Sequence, residues 1–258
     1  MSDFFDTLAR DAKDTIESGY YQNLSISKHP KISLKDAIQT CKTTPVITEI
    51  KAASPSAGII RAEINAVQLA QAMQRGGAVG ISVLTEPKHF HGSIETLTKT
   101  REAVQLPILM KDIILSPIQV EAAAKIGANV ILLINALFER GYGQMDLHEI
   151  IAYAHARGLE VLLETHNESE FLFADRTHAD LIGINNRDLA TLKINLATTQ
   201  RILEKHKKPQ RIIISESGIQ TSRDLQFLRG CGADAFLIGS SIMLTDDVES
   251  KVREFVKA

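Results

Sequence analysis

Two cysteines, a nearly balanced charge and the lack of any long apolar run set the first limits. Cys41 and Cys231 stand far apart, with no CxxC or Cys/His spacing around either. That argues against a disulfide or a zinc site and predicts buried free thiols in a reducing cytosol. A formal net charge of −2 gives no general attraction for nucleic acid or anionic membrane, so an acidic substrate must be met by a local cluster. No uninterrupted apolar run reaches the roughly 18 residues that suggest a membrane span. The opening Met-Ser-Asp-Phe-Phe-Asp-Thr-Leu mixes acids with apolar residues and lacks the basic-then-apolar order of a signal peptide. The expectation is a cytoplasmic protein with no membrane or nucleic-acid partner.

What is present is material for a core. Hydrophobic residues make up 44% of the chain and charged ones 23%, and its 258 residues suit one α/β barrel as well as two smaller domains. Eight short apolar, β-branched runs stand out: Val46–Ile50, Gly80–Leu84, Pro107–Lys111, Asn129–Ile134, Glu160–Glu164, Asp180–Ile184, Arg211–Ser215 and Ala235–Gly239. Most are continuous rather than alternating, as strands covered on both faces require. The segments between them show helical spacing. Ala66–Arg75 places Val67, Ala70 and Met73 on one face, Ile118–Ile126 is alanine-rich, and His148–Arg157 carries Ile150, Ile151 and Ala154. Gly76-Gly77, Gly127, Gly158 and Gly232 fall where such helices should end.

Strand and helix alternating eight times predict an α/β fold of the (β/α)8 TIM-barrel class. A doubly wound nucleotide-binding sheet would carry a glycine-rich loop after its first strand, and that place holds Lys-Ala-Ala-Ser-Pro-Ser instead. Before the first run, Phe4, Leu8 and Ala12, then Leu34, Ala37 and Ile38, fall at helical spacing. The expected organisation is a single domain, with a helical N-terminal extension over 1–45 packed on a barrel over 46–258.

In such a barrel the chemistry sits at the C-terminal ends of the strands. The first run ends in Glu49 and Lys51, the second leads to Thr85, Glu86 and Phe90, and the third ends in Lys111-Asp112. The fifth ends in Glu164, the sixth in Asn185-Asn186-Arg187-Asp188, the seventh in Glu216-Ser217-Gly218 and the eighth in Gly239-Ser240-Ser241. One such residue marks an exit to solvent as readily as a site. A whole rim of them describes a pocket with two lysines, an arginine and several carboxylates. Ser217-Gly218 and Gly239-Ser240 add backbone access and hydroxyls after strands seven and eight, where barrels hold phosphate. A phosphorylated substrate follows.

Other features read more plainly. His89-x-His91 lacks a third ligand nearby, so no metal is assigned to it. Phe4 and Phe5 serve to pack the extension on the barrel, and Lys205-His-Lys-Lys208 is an exposed helix end.

The strings at the rim identify a family. Glu49-Ile-Lys51-Ala-Ala-Ser54-Pro-Ser56, Ser82-Val-Leu-Thr85-Glu86, Leu109-Met-Lys111-Asp112, Gly183-Ile-Asn185-Asn186-Arg187-Asp188, Ser215-Glu216-Ser217-Gly218 and Phe236-Leu-Ile-Gly239-Ser240-Ser241 together resemble indole-3-glycerol-phosphate synthase, in order and spacing, from about residue 46 to the end. The resemblance implies tryptophan biosynthesis and a substrate, 1-(2-carboxyphenylamino)-1-deoxyribulose 5-phosphate, that closes an indole ring with loss of CO2 and water, without cofactor or metal. It implies Lys111 as general acid for ring closure and Lys51 as a second lysine that meets substrate anions and serves the dehydration. It further implies Glu164 and Glu49 as catalytic carboxylates, and Asn185 and Arg187 as orienting groups, Arg187 for the departing carboxylate. Ser54, Ser217, Gly218, Gly239 and Ser240 match polar or phosphate-contacting positions, and Phe90 an aromatic beside the anthranilate ring.

Two departures stand out. Ile113 replaces a phenylalanine that follows Lys-Asp in many relatives, and Ala52 replaces a basic residue after the first lysine. His166 falls at a position that varies in the family and receives no role. A rival phosphosugar barrel, phosphoribosylanthranilate isomerase, is expected to use a cysteine and an aspartate, yet neither cysteine ends a predicted strand. A scaffold without activity would have lost Lys51, Lys111 or Glu164, and all three are present. The sequence is compatible with a monomer or a weak homo-oligomer.

Overall fold

The computed structural model describes residues 3–26, 29–54, 58–188, 191–206 and 211–258. Ser56, which belongs to one of the family strings, and Lys207 and Lys208 lie outside them. Eight parallel strands close into a barrel: β1 (Val46–Ile50), β2 (Gly80–Leu84), β3 (Ile108–Lys111), β4 (Val130–Ile134), β5 (Glu160–Thr165), β6 (Leu181–Asn185), β7 (Ile213–Glu216) and β8 (Ala235–Ile238). Each pairs with its neighbours in sequence, and β8 returns to β1 through the register Val46 opposite Phe236. All eight expected runs are strands. Four begin one or two residues late, at Ile108, Val130, Leu181 and Ile213. Pro107 has no N–H to give the ladder, so β3 starts at Ile108, although the Pro107 carbonyl accepts from Ile81 N at 3.0 Å. Arg211 precedes β7, and its guanidinium reaches Asp175, 3.1 Å from Oδ1.

Helices follow the strands and ring the barrel. They include α3 (Ala66–Gly76), α4 (Ile94–Ala103), α5 (Pro117–Lys125), α6 (Asn135–Glu139), α7 (Leu147–His155), α8 (Glu168–Ala174), α9 (Ala197–His206), α10 (Ser222–Cys231), the short α11 (Ser240–Met243) and α12 (Val248–Val256). On α3 the buried face is Leu69, Ala70, Met73 and Gly76, whereas Val67, expected inside, is 39% exposed. The helix is turned by its contact with α12: a Cβ on Gly76 would come within 2.6 Å of Val252 Cβ. Both cysteines are free but only half-buried, contrary to the expected burial, because each sits at a surface helix end.

Two apolar layers hold the fold. One lies between strands and helices. The other fills the barrel with inward residues such as Ile47, Leu109, Leu132, Leu162, Ile214 and Leu237. The extension closes this second layer at both ends. Phe5, Leu8 and Ala12 of α1 (Phe4–Glu17) and Leu34 and Ile38 of α2 (Leu34–Thr40) belong to the same buried cluster. Helix α2 is held at the N-terminal ends of the strands, where Glu160 accepts from Leu34 N at 2.8 Å and from the Ser33 hydroxyl at 2.5 Å. Helix α1 lies at the opposite face. Among the described residues no helix is long and apolar enough to cross a membrane.

Candidate active site

Side chains alternate between the inside and outside of a strand, so a residue two places beyond an inward apolar one also points inward. On the odd-numbered strands this takes Ile47 to Glu49, Leu109 to Lys111, Leu162 to Glu164 and Ile214 to Glu216. Barrel interiors are filled in layers of four from alternate strands, and these four form one such layer with an ammonium and three carboxyls in place of aliphatics. Lys111 Nζ is 3.3 Å from Glu49 Oε2, 3.2 Å from Glu216 Oε2 and 4.0 Å from Glu164 Oε2. Glu49 also binds Lys51 Nζ through Oε1 at 2.8 Å. The neighbouring strands keep their adjoining residues small. A Cβ on Gly239 would meet Glu49 Oε1 at 2.5 Å.

Glu49, Glu164 and Glu216 are each at most 3% exposed. Desolvating charges is costly, and ion pairs of this kind add little net stability. Burial pushes Glu49 up, but Lys51 and Lys111 outweigh it and hold the carboxyl at about 2. Burial likewise opposes ionisation of Glu164, which His166, Lys111 and the Asn185 amide overcome and lower. For Glu216 burial prevails: despite Lys111 its pKa is raised, helped by the negative charges of Glu164 and Glu49. Its Oε1 is buried without a hydrogen-bond partner, as suits a neutral carboxyl. Burial disfavours the Lys111 ammonium, yet its three carboxyl neighbours raise its pKa above the ordinary lysine value. One firmly charged ammonium therefore faces two carboxylates and one carboxylic acid.

A cavity of about 330 Å³ opens over this layer. All twelve residues singled out in the sequence line it: Glu49, Lys51, Ser54, Phe90, Lys111, Glu164, Asn185, Arg187, Ser217, Gly218, Gly239 and Ser240. One wall is apolar, made by Phe4 and Leu8 of α1 with Phe90, Ile113, Leu132 and Ile134. Phe90 is placed by Glu86, whose carboxylate accepts from the backbone N–H groups of Lys88, His89 and Phe90 at 2.7–3.0 Å. Ile113 does line the cavity, so the wall is aliphatic at that position. Ala52 does not line it. Its carbonyl accepts from Ile60 and Arg61 N, closing the small hairpin of Ala53–Ser54 on Gly58–Ile59.

The opposite side carries hydroxyl and backbone groups, set beside Ile194, Ile219 and Leu244. Ser217 and Gly218 both have left-handed backbone, at φ 66° and 89°, a conformation that disfavours any residue with a Cβ. Asn186 holds the serine there: its amide donates to Glu216 O at 3.0 Å and Ser217 O at 3.2 Å, while its Oδ1 accepts from the Thr199 hydroxyl at 2.8 Å. Ser241 joins the two loops by donating to Ile219 O at 2.9 Å. Arg187 reaches the cavity between the walls. Its backbone N–H donates to Asn185 Oδ1 at 3.0 Å and its guanidinium to Leu192 O at 3.2 Å.

Three contributors were missed in the sequence. Glu216 was seen only as the end of a strand; its inward parity, shared with Glu49, Lys111 and Glu164, was the available signal. Phe4 and Leu8 were read as packing residues, yet Phe4 and Leu8 also line the cavity, and Phe5 packs outside it. His89 binds Asp11 at 2.8 Å and joins no metal-ligand cluster among the described residues.

A family profile for indole-3-glycerol phosphate synthase matches residues 9–255. The indole-3-glycerol phosphate synthase of Methanocaldococcus jannaschii is 44% identical over 91% of this chain and 86% of its own length. That of Haloarcula marismortui is 45% identical over 90% and 86%. Among solved structures, the thiamine phosphate pyrophosphorylase from Pyrococcus furiosus shares the fold at a TM-score of 0.61, with 16% identity over 86% of this chain and 96% of that one. The profile spans all four residues of the buried layer, and on it and these relatives the chain belongs to the indole-3-glycerol phosphate synthase family.

Proposed function

We propose that the buried layer runs the family's decarboxylative ring closure with Lys111 as general acid. The observation that carries this reading is the single ammonium enclosed by three carboxyls at the base of a cavity with an aromatic and aliphatic wall on one side and its hydroxyls and glycine backbone on the other. The substrate, 1-(2-carboxyphenylamino)-1-deoxyribulose 5-phosphate, has the same division. Its anthranilate ring fits beside Phe4, Leu8, Phe90 and Ile113, and its phosphate beside Gly218, Gly239 and Ser240. Ser54 and Ser217 complete the polar side, and Asn185 orients the substrate.

The ring carbon bearing the carboxylate attacks the ketone carbon, and the carbonyl electron pair moves to oxygen, which takes a proton from Lys111. A positioned ammonium both donates that proton and stabilises the developing charge. The bond to the carboxylate then breaks, CO2 leaves, and its electrons restore the aromatic ring. Arg187 and Lys51 hold the carboxylate until it departs, a task that suits a planar guanidinium. In the second stage Glu164, kept ionised by its surroundings, removes a proton from the carbon beside the ring nitrogen. Lys51, oriented by Glu49, protonates the hydroxyl as it leaves as water. The sum consumes one proton from solvent per turnover and needs no cofactor or metal. The reading places the enzyme in the cytoplasm.

The test is to mix the protein with this substrate, with neither metal nor nucleotide, and follow indole fluorescence. Lys111→Met should lower turnover by at least about a hundredfold, the scale of a general acid. Near-normal turnover would remove Lys111 from that role.

A further inference from the structure

His166 stands directly behind Glu164, outside the cavity, and the reaction as written does not use it. Its ring is buried, with 9% of the side chain exposed, and lies between two carboxylates. Nε2 is 3.2 Å from Glu164 Oε1 and Nδ1 is 3.2 Å from Glu170 Oε2. Neither acid is free to turn away. Glu170 Oε2 also accepts from His166 N at 2.9 Å, and its Oε1 accepts from the Asn167 amide at 2.5 Å. Glu164 is held on its far side by Lys111. The edge of the imidazole meets Phe5, with centroids 5.6 Å apart.

A neutral imidazole has one protonated nitrogen and one lone pair. In either tautomer that lone pair would lie 3.2 Å from a carboxylate oxygen, so this site favours the doubly protonated ring. Two small clefts flank the ring on its outer side, one lined by the charged groups Glu139, Arg140 and Asp188 and the other by Glu168, Arg201, Glu204 and Lys205. Arg140 is engaged there by Asp3 and Asp6 at 2.8 and 3.1 Å.

We propose that His166 is a positioning residue for Glu164: clamped by Glu170, its imidazolium fixes Oε1 and keeps the carboxylate ionised, leaving Oε2 toward Lys111 and the substrate. Burial opposes the positive charge, but Glu164 and Glu170 raise the ring's pKa to about 10, so the clamp is charged throughout the neutral range. The contact with Glu164 is an ion pair and not an in-line hydrogen bond, since Nε2 has no hydrogen-bond partner. Its effect on Glu164 is therefore carried mainly by charge. This inference rests on Glu164 being the base of the elimination, and the experiment separates the two.

The experiment measures kcat and KM against pH for His166→Ala, His166→Gln, Glu170→Gln and Glu164→Gln, because the acid limb of kcat reports the base in the bound complex. For His166→Ala the expectation is kcat down at least about tenfold, KM within about twofold, and an acid limb moved to higher pH by about one unit or more. His166→Gln places a neutral amide near the position of Nε2. It should recover part of kcat while its acid limb stays displaced. Glu170→Gln keeps the ring but loosens the clamp and should move the limb less, in the same direction. A merely structural histidine would lower kcat or folding without moving the limb, and an unmoved limb in all three variants overturns the proposal. If His166→Ala fails to fold by circular dichroism, the other two decide on the same criterion. An inactive Glu164→Gln beside an unmoved limb defeats the positioning role alone, whereas a fully active Glu164→Gln removes the base assignment and the positioning role with it.

Discussion

Gly183 lies against the buried carboxyl of Glu216 so closely that even a methyl group at 183 would collide with Oε1. The glycine occupies the middle of β6, paired with Glu164 on β5 and Ile214 on β7. Its missing side chain is the space in which the acidic layer fits. Gly183→Ala should therefore act on both stability and chemistry. Overpacking costs about 1–3 kcal/mol, read as a lower Tm, and displacement of Glu216 from Lys111 should lower kcat at least about tenfold. A folded variant with wild-type kcat would show that Glu216 need not stay where it is.

The protonation of Glu216 has a signature in stability. A glutamate in the unfolded chain loses its proton near 4.5, while burial keeps Glu216 protonated to higher pH in the fold. The folded state then binds more protons than the unfolded one, and stability falls as pH rises above 4.5 toward the raised pKa. Glutamine does not titrate, so Glu216→Gln lacks this loss. The Tm of the variant minus that of the wild type should become more positive between about pH 5 and about pH 9. A constant difference would mean that Glu216 is ionised in the fold.

Ser217 offers a separation of stability from activity. Its left-handed backbone costs a residue with a Cβ about 1–2 kcal/mol, and glycine avoids most of that strain. Ser217→Gly should hold or raise Tm. Loss of one hydroxyl hydrogen bond to substrate, worth about 1 kcal/mol, should lower kcat/KM about fivefold. An unchanged kcat/KM would leave the hydroxyl without a part in catalysis.

The loop after β8 can be tested by charge. Ser240→Asp puts a carboxylate where the phosphate is proposed to sit, and like charges in contact cost several kcal/mol. KM should rise at least about tenfold, with kcat changed less. A KM equal to wild type would move the phosphate elsewhere in the cavity.

The sequence carried the barrel because each strand announces itself locally. Runs such as Val-Ile-Leu-Leu-Ile at 130–134 need no distant information to be read as buried strands, and the strings at their ends place twelve residues around one cavity. What it did not display was depth. Glu216 and Ser217 are adjacent, yet one points into the barrel and the other belongs to the loop above it. Only closure of the sheet brings residue 216 within 3.2 Å of residue 111. The face of α3 was misread for a related reason. Val67, Ala70 and Met73 share a spacing, but the position of α12 decides which stripe is covered. His166 was illegible because its partner Glu170 lies on the next helix, four residues on, and nothing in the string marks that carboxylate as buried.

The described residues before β1 reach both ends of the barrel. Helix α1 supplies Phe4 and Leu8 to the cavity and is fastened by Asp11 to His89 and by Asp14 to Lys88, while α2 sets Leu34 against Gly80 and hangs from Glu160. Roof and floor are thus one continuous strap. A truncation that begins at β1 would inflict two injuries with one cut, leaving the mouth unroofed and the base unstoppered. Swapping this leader between related barrels would likewise transplant a piece of the substrate's seat along with a fastening.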